Sequence, residues 1–365
     1  MDIAGTEILK KTPLYETHVA MGAKMAPFGG WLMPIQYDGI LAEHAHTRSE
    51  VSIFDICHMG EFELEADPLS SGLDRVVTQN IVSMPLGSCR YGFILNETGG
   101  VIDDLIVYRV KDQSWMIVVN AATIFGDEKH FLKNMTGKCS FKNVSDKLGK
   151  LDVQGPKSKE VLVKIFGDRV KSLGYYTFSE FFLWGERCIV SRTGYTGELG
   201  YEVYIPADHV VRLWKLLLED KRVKPAGLGS RDTLRLEMGY PLYGEDLDTA
   251  HTPLEASFDK FVDFSKDFIG KSALLEEKER GLKDNLIAFK AETRRSPRHG
   301  FGIFSKGRRI GTVTSGSFSP SLSVGIGMGY VSEKQEAGAR LIVKEAAIEI
   351  PVEVVKKPFY NKTSL

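Results

Sequence analysis

At 365 residues the chain exceeds what one ordinary hydrophobic core supports, so two or three domains are expected. Forty-seven basic residues against 48 acidic ones leave a formal net charge of −1, with 43% hydrophobic and 26% charged residues. This is an ordinary globular composition without the global basic excess of a nucleic-acid binder. No apolar run approaches the ~20 residues of a membrane span, and the first residues lack the basic and apolar regions of a secretory signal and the arginines of a transit peptide. The expected compartment is the cytoplasm.

Cys57, Cys89, Cys139 and Cys188 are scattered with no Cys-x-x-Cys pair. Neither a zinc site nor a disulfide framework is indicated, and reduced thiols are expected. Asn96, Asn134, Asn143 and Asn361 head Asn-x-Ser/Thr triplets, which read as chance matches without a secretory signal.

In chain order, residues 1–10 read as a loose lead-in. Thr12 and Pro13 suit the cap and first position of a helix. Gly22, Pro27, Gly29 and Gly30 break the pattern, residues 31–37 are extended and aromatic, and a helix is expected over 40–50. Cys57 and His58 suggest a nucleophile and its base, but neighbours in a strand face opposite ways, which disfavours a direct pair. His58 reads instead as a partly buried, hydrogen-bonded histidine. His44 and His46 do not share a helix face, so no metal site is expected. A strand over 61–66, a helix over 68–78 and a strand over 91–95 follow.

Thr98, Gly99 and Gly100 then form a turn, and residues 101–110 a strand rich in β-branched residues. Asp103 and Asp104 sit inside that apolar run, where aspartate is uncommon and a buried charge is expensive. Alternation puts Ile102, Asp104, Ile106 and Tyr108 on one face and Asp103 with Arg109 on the other. Arg109 is placed to help Asp103, whereas Asp104 has only Tyr108 as a polar companion on its face. Two readings stand open: carboxylates binding turn amides, or a carboxylate held in a cavity, for which Asp104 is the better candidate. A strand over 115–119 ends at Asn120, which either caps the helix starting near Thr123 or lines a pocket; capping is the simpler reading.

A strand over 151–154 and a helix over 157–166 precede a loop with Gly194, Gly197 and Gly200. Its spacing matches neither phosphate-binding fingerprint, and a glycine-rich hairpin explains it more simply. In the second strand of that hairpin Glu202 and Tyr204 share a face. Glu202 either meets water or accepts two hydrogen bonds from an amidine-like edge such as a pterin ring. Ser230 reads as an N-cap, and Arg231 falls in the first helical turn, where a cation is mildly unfavourable. That points to an anion or ligand contact, with an ion pair to Asp232 or Glu245 as the alternative. Residues 268–281 end in a charged connecting helix. Beyond a boundary near 280, strands over 285–290, 301–304, 309–314, 323–331, 340–343 and 349–355 indicate an antiparallel sheet or small barrel.

Together these stretches resemble the aminomethyltransferase (T-protein) family of the glycine cleavage system, from about Thr12 to Tyr360. The resemblance rests on Lys11-Thr-Pro-Leu-Tyr15, Phe54-Asp-Ile-Cys-His-Met-Gly60, residues 96–108, Val119-Asn-Ala-Ala122, Ser191-Arg-Thr-Gly-Tyr-Thr-Gly-Glu198, residues 229–237, Thr314-Ser-Gly-Ser-Phe-Ser-Pro320 and Lys356-Lys-Pro-Phe-Tyr360, in this order and spacing. It implies an α+β multidomain, three-lobed fold with a central folate cavity and a C-terminal antiparallel β-barrel. The implied layout is a folate-binding catalytic region over 1–280, with a second lobe about 53–145 inserted in the first, and a barrel domain over 281–365. The implied co-substrate is tetrahydrofolate, with no metal, and the implied partner is lipoylated H-protein carrying an aminomethyl group. The implied products are 5,10-methylenetetrahydrofolate, ammonia and dihydrolipoyl H-protein. The family's catalytic aspartate falls on Asp104, and its folate contacts on Tyr91, Asp104, Tyr108, Asn120, Tyr195, Glu202 and Arg231. Two other folate-dependent readings of the same fold remain: a demethylase of a small methylated donor, and a non-enzymatic protein of iron–sulfur maintenance. The latter carries a cysteine in the glycine-rich loop, where this chain reads Arg192-Thr-Gly-Tyr-Thr-Gly-Glu198.

Overall fold

The structure, a computed structural model, describes residues 9–361; most of the expected lead-in and the last two residues of the Asn361 triplet lie outside the described residues. The chain divides into two compact units. One comprises Met1–Gly60, Val144–Gly194 and Glu198–Arg231, the other Glu61–Asn143, Tyr195–Gly197 and Asp232–Leu365.

The first unit is built on a six-stranded sheet in the order Phe178–Leu183, Glu186–Ser191, Gly200–Pro206, Leu148–Gln154, Val51–Asp55, Val223–Pro225. Neighbours are antiparallel except the last pair, which is parallel. The glycine-rich loop does connect two antiparallel strands, as read from sequence. Leu213, Trp214 and Leu217 recur at helical spacing on Val210–Leu218 and bury their stripe against Val153, Tyr201 and Val203. The register sets Glu202 opposite both Ser191 and Asp152, which brings polar side chains together on one face of the sheet.

Thr12 caps no helix here. The helix is Tyr15–Ala20, with Leu14 at its N-cap, and Thr12 Oγ1 donates to buried Asp55 at 2.6 Å. A buried carboxylate without donors is far more costly than a missing cap. His18 and the Cys57 amide also bond Asp55, at 2.9 Å each. Although burial acts to raise it, these hydrogen bonds and the His18 ring hold the Asp55 carboxyl below the ordinary range.

The second unit holds a five-stranded sheet in the order Cys89–Leu95, Val101–Lys111, Ser114–Val119, Gly60–Ala66, Cys139–Asn143. Helix Ile124–Asn134 covers it, burying Ile124 and Phe131 against Phe62, Leu64 and Ile117. The helix expected over 68–78 is only one turn, Leu73–Val76. Asp67 accepts bonds from both the amide and hydroxyl of Ser70, an Asx-type turn that competes with helix, and Gly72 is left-handed at φ +79°.

The same unit contains a closed six-stranded barrel, Asn285–Ala291, Val324–Val331, Arg308–Ser319, Gly302–Ser305, Arg340–Glu345 and Ile348–Val355 around the ring. Phe289, Ile303, Val313 and Val343 fill it, and closure leaves no sheet edge unpaired. Buried Arg235 ties the barrel to the preceding segments, donating to Asp246 Oδ2 and Ser315 Oγ at 2.9 Å each. Glu237 accepts from the Ser319 hydroxyl at 2.6 Å and the Ser321 amide at 3.0 Å.

Two glycines of this unit separate close approach from helix propensity. A Cβ on Gly100 would lie 1.9 Å from the Thr249 carbonyl oxygen, whereas one on Gly126, inside Ile124–Asn134, meets nothing within 4 Å. Gly100→Ala is therefore expected to destabilise by about 1–3 kcal/mol and Gly126→Ala to stabilise by about 0.5–1 kcal/mol. Urea unfolding of the two variants measures both; shifts of the same sign would contradict this packing.

Candidate active site

The strand Val101–Lys111 sends Asp103 and Asp104 to opposite faces. Asp103 is wholly buried and Asp104 partly exposed. Tyr91 lies on the neighbouring strand, two residues from Phe93, the direct partner of Asp104, and so on the same face. Its hydroxyl donates to Asp104 Oδ2 at 2.9 Å.

Asn120 ties the two acids together at the end of the third strand. Its Nδ2 donates to Asp103 Oδ1 and Asp104 Oδ1 at 2.8 Å each, and its backbone amide donates to Asp103 Oδ2 at 3.0 Å. Thr123 Oγ1 adds a bond to Asp103 Oδ2 at 2.9 Å. The capping reading of Asn120 is thus overturned: Thr123 holds the N-cap position of the helix, and the Asn120 amide serves the carboxyls, whose buried charge makes the stronger demand. Arg109 does not reach Asp103. It donates to the Met84 carbonyl at 2.6 Å, because two pleats put its head at the far end of the strand.

Burial, then the adjacent Asp103 charge, pushes the Asp104 carboxyl up to about 7, against the opposing pull of Tyr91 and Asn120. Burial likewise raises Asp103 well above the ordinary range and lifts Asp127 to about 7. Asp127 shares a face of its helix with Ile124 and Phe131 and is wholly buried. Sequence reasoning missed it, although an acid at apolar helical spacing was the available signal.

The first unit carries a second polar cluster. Glu202 is 5% exposed, which removes the reading that it faces water. Its Oε2 accepts from Thr193 Oγ1 at 2.6 Å, and its Oε1 lies 3.5 Å from Nζ of buried Lys150. Arg231 Nε is 3.7 Å from Asp152 Oδ2, so its ion partner is this buried acid rather than Asp232 or Glu245. Burial, then Glu202, raises Asp152 to about 7. Ser230 is no N-cap: the helix Leu228–Glu237 starts two residues earlier, and the Ser230 hydroxyl donates to Glu43 and to the Gly227 carbonyl. Asp152 and Lys150 were also missed, though an acid and a lysine between Leu151 and Val153 stand out in a buried strand.

The structure thus joins Tyr91, Asp104 and Asn120 in one hydrogen-bonded group. Tyr108 is wholly buried on the Asp104 strand. The Tyr195 hydroxyl donates to the Pro241 carbonyl, and its ring stacks on Tyr240 with centroids 5.8 Å apart. Glu202 and Arg231 belong to the cluster of the first unit. His58 is buried there, edge-on to Phe28, and burial pushes its ring down to about 4, which leaves it neutral at physiological pH. The Cys57 thiol donates to the Lys150 carbonyl at 3.4 Å.

The raised carboxyls predict a pH signature. A folded pKa above the unfolded value contributes stability at low pH that is lost as pH rises through the folded pKa. Asp127→Asn should therefore stabilise the chain relative to wild type by more at pH about 8 than at pH about 4, near the unfolded carboxyl's own pKa. Urea midpoints at the two pH values test this; an equal difference at both would contradict the raised titration.

Comparison with known proteins gives a concordant result. Residues 14–266 match the family model of the GCVT N-terminal domain, and residues 285–361 that of the glycine cleavage T-protein C-terminal barrel domain. The chain is 44% identical over 356 residues to an aminomethyltransferase of Halothermothrix orenii, covering 96% of this chain and 100% of that protein. It is 42% identical over 361 residues to one from Caldanaerobacter subterraneus, covering 97% and 96%. Among solved structures, glycine cleavage system aminomethyltransferase T from Bartonella henselae superposes with a TM-score of 0.91 at 34% identity, covering 96% of this chain and 98% of that one. With both family models and the fold matched along nearly its whole length, the chain belongs to the glycine cleavage T-protein family of aminomethyltransferases.

Proposed function

We propose that Asp104 is the catalytic residue of aminomethyl transfer, with tetrahydrofolate as co-substrate and lipoylated H-protein as the carrier of the aminomethyl group. Aminomethyl transfer in the glycine cleavage system is the activity of the family. The observation that carries the residue assignment is a partly exposed carboxyl held by Tyr91 and Asn120 and poised at about 7. When bound, tetrahydrofolate supplies the nitrogen nucleophiles that accept the methylene carbon.

The donor and acceptor chemistry suits such a ligand. Asp104 and Glu202 offer carboxylate acceptors, Arg231 a cation, Asn120 an amide, and Tyr91, Tyr108 and Tyr195 aromatic surface; these are the residues we assign to folate contact. Asp104 orients the reacting nitrogens and stabilises positive charge developing at the reacting centre. An aspartate of ordinary pKa is a weak base at neutral pH, but one raised to about 7 both accepts and returns a proton there. Tyr91 and Asn120 fix its two oxygens, so the carboxylate is oriented before the substrates arrive.

The same reading makes the cytoplasm the compartment and takes residues 1–280 as the folate-binding region, with a second lobe about 53–145 inserted, and 281–365 as a barrel domain. Among the described residues no helix is long and apolar enough to cross a membrane, and no group of three or more His, Cys, Asp or Glu has the arrangement of a metal site.

Purified chain is expected to release ammonia and methylenetetrahydrofolate from aminomethyl-loaded H-protein only when tetrahydrofolate is present. Asp104→Asn keeps the shape and removes the charge; it should lower turnover by about 10²–10⁴-fold while folate binding is retained. Wild-type turnover in that variant would sink the assignment. The wild-type rate should fall as pH drops below about 7, where Asp104 takes up a proton. A rate that stays flat through that range would show that the Asp104 carboxylate is not required.

A further inference from the structure

Resting on the reading of Glu202 as a folate contact, we propose that Lys150 is a positioning residue: its buried ammonium, paired with Glu202, holds that carboxylate in place for the ligand. Lys150 is 1% exposed and Glu202 5%. Lysine is almost never fully buried unless it is paired. The ammonium lies 3.5 Å from Glu202 Oε1, and among the described residues Glu202 is the acid within ion-pair reach of it.

Strand register puts the lysine there. On Leu148–Gln154, Lys150, Asp152 and Gln154 share one face, while Leu151 and Val153 enter the hydrophobic core. On the neighbouring strand Glu202 is the direct partner of Asp152, and Tyr204 that of Lys150. Lys150 is thus diagonal to Glu202, within reach of a long side chain. Its ammonium stands 5.0 Å from the centroid of the Tyr204 ring and donates to Met59 Sδ at 3.6 Å. A ring face and a thioether are weak partners for an ammonium. The Glu202 carboxylate therefore supplies the main compensation for this buried charge.

The two oxygens of Glu202 are held from different sides. Oε1 faces Lys150, and Oε2 accepts from Thr193 Oγ1 at 2.6 Å, with the Tyr204 hydroxyl at 3.5 Å. The hydroxyl of Ser191, paired with Glu202 on the other side, lies 2.9 Å from that of Thr193. Asp152 and Arg231 complete the charged surroundings and stand 3.7 Å apart. Like charges on directly paired residues repel, so Asp152 disfavours Glu202 where it sits. Arg231 is turned to Asp152, and Lys150 is the cation set against Glu202. A carboxylate fixed before the ligand arrives loses less freedom on binding, and this is how Lys150 acts on affinity.

The test is a double-mutant cycle on the full chain, read by equilibrium binding of tetrahydrofolate and by turnover with aminomethyl-loaded H-protein. Lys150→Met keeps the length of the stem and removes the charge. It should raise Kd and KM for tetrahydrofolate about ten- to a hundredfold and change kcat by less than about threefold. Glu202→Gln should raise Kd by itself. Adding Lys150→Met to it should change Kd by less than about twofold, because the carboxylate through which Lys150 acts is gone. No rise from Lys150→Met alone, or an equal rise in both backgrounds, would overturn the proposal. A loss of kcat with KM unchanged would overturn it as well. An unchanged Kd in Glu202→Gln would remove the folate-contact reading of Glu202, and the proposal with it, whereas a rise there without one in Lys150→Met removes the positioning role alone. Should Lys150→Met fail to fold, Lys150→Gln, which retains an N–H donor and loses the charge, enters the same cycle with an expected rise of about three- to tenfold.

Discussion

Two consecutive aspartates in one strand set the central constraint on this protein. Strand geometry must turn one of them into the interior, and a wholly buried carboxyl needs donors or a proton. Asp103 obtains donors from Asn120 and Thr123 at the end of one strand and the start of the covering helix. Asp104, on the open face, inherits a preorganised environment from the same contacts.

The polar cluster of the first unit follows a related logic with a different balance. Asp152 and Glu202 face each other across paired strands, and here two cations, Lys150 and Arg231, lie among them. The two cations pull Asp152 down, but burial and Glu202 outweigh them and it stands at about 7. In the second unit Asp103, Asp104 and Asp127 are likewise raised, by burial first and by the charge of a neighbouring acid.

Much of the architecture was legible in the sequence. The strand over 101–110, the hairpin around Gly194–Gly200 and the short strands beyond 280 carry strong local signals, in β-branched runs, glycine turns and even spacing. Local signals failed where a tertiary demand outbid them. Thr12 and Ser230 have the chemistry of helix caps, yet their hydroxyls go to buried Asp55 and Glu43. Asn120 is likewise taken from its helix by two carboxyls. In each case the energy of leaving a buried acid unsatisfied exceeds that of a cap.

By itself the sequence determined the pair of aspartates, their opposite faces and the run of short strands at the C-terminal end, because each follows from a period or spacing within one segment. Only the tertiary structure decided who meets those acids. Tyr91, Asn120 and Thr123 reach them from other strands and from a helix, and Asp127 arrives from a helix face that reads as apolar apart from it. Such partners are separated along the chain and are joined only by sheet register and packing. A carboxyl's charge state depends on its whole surroundings, and no stretch of sequence contains those.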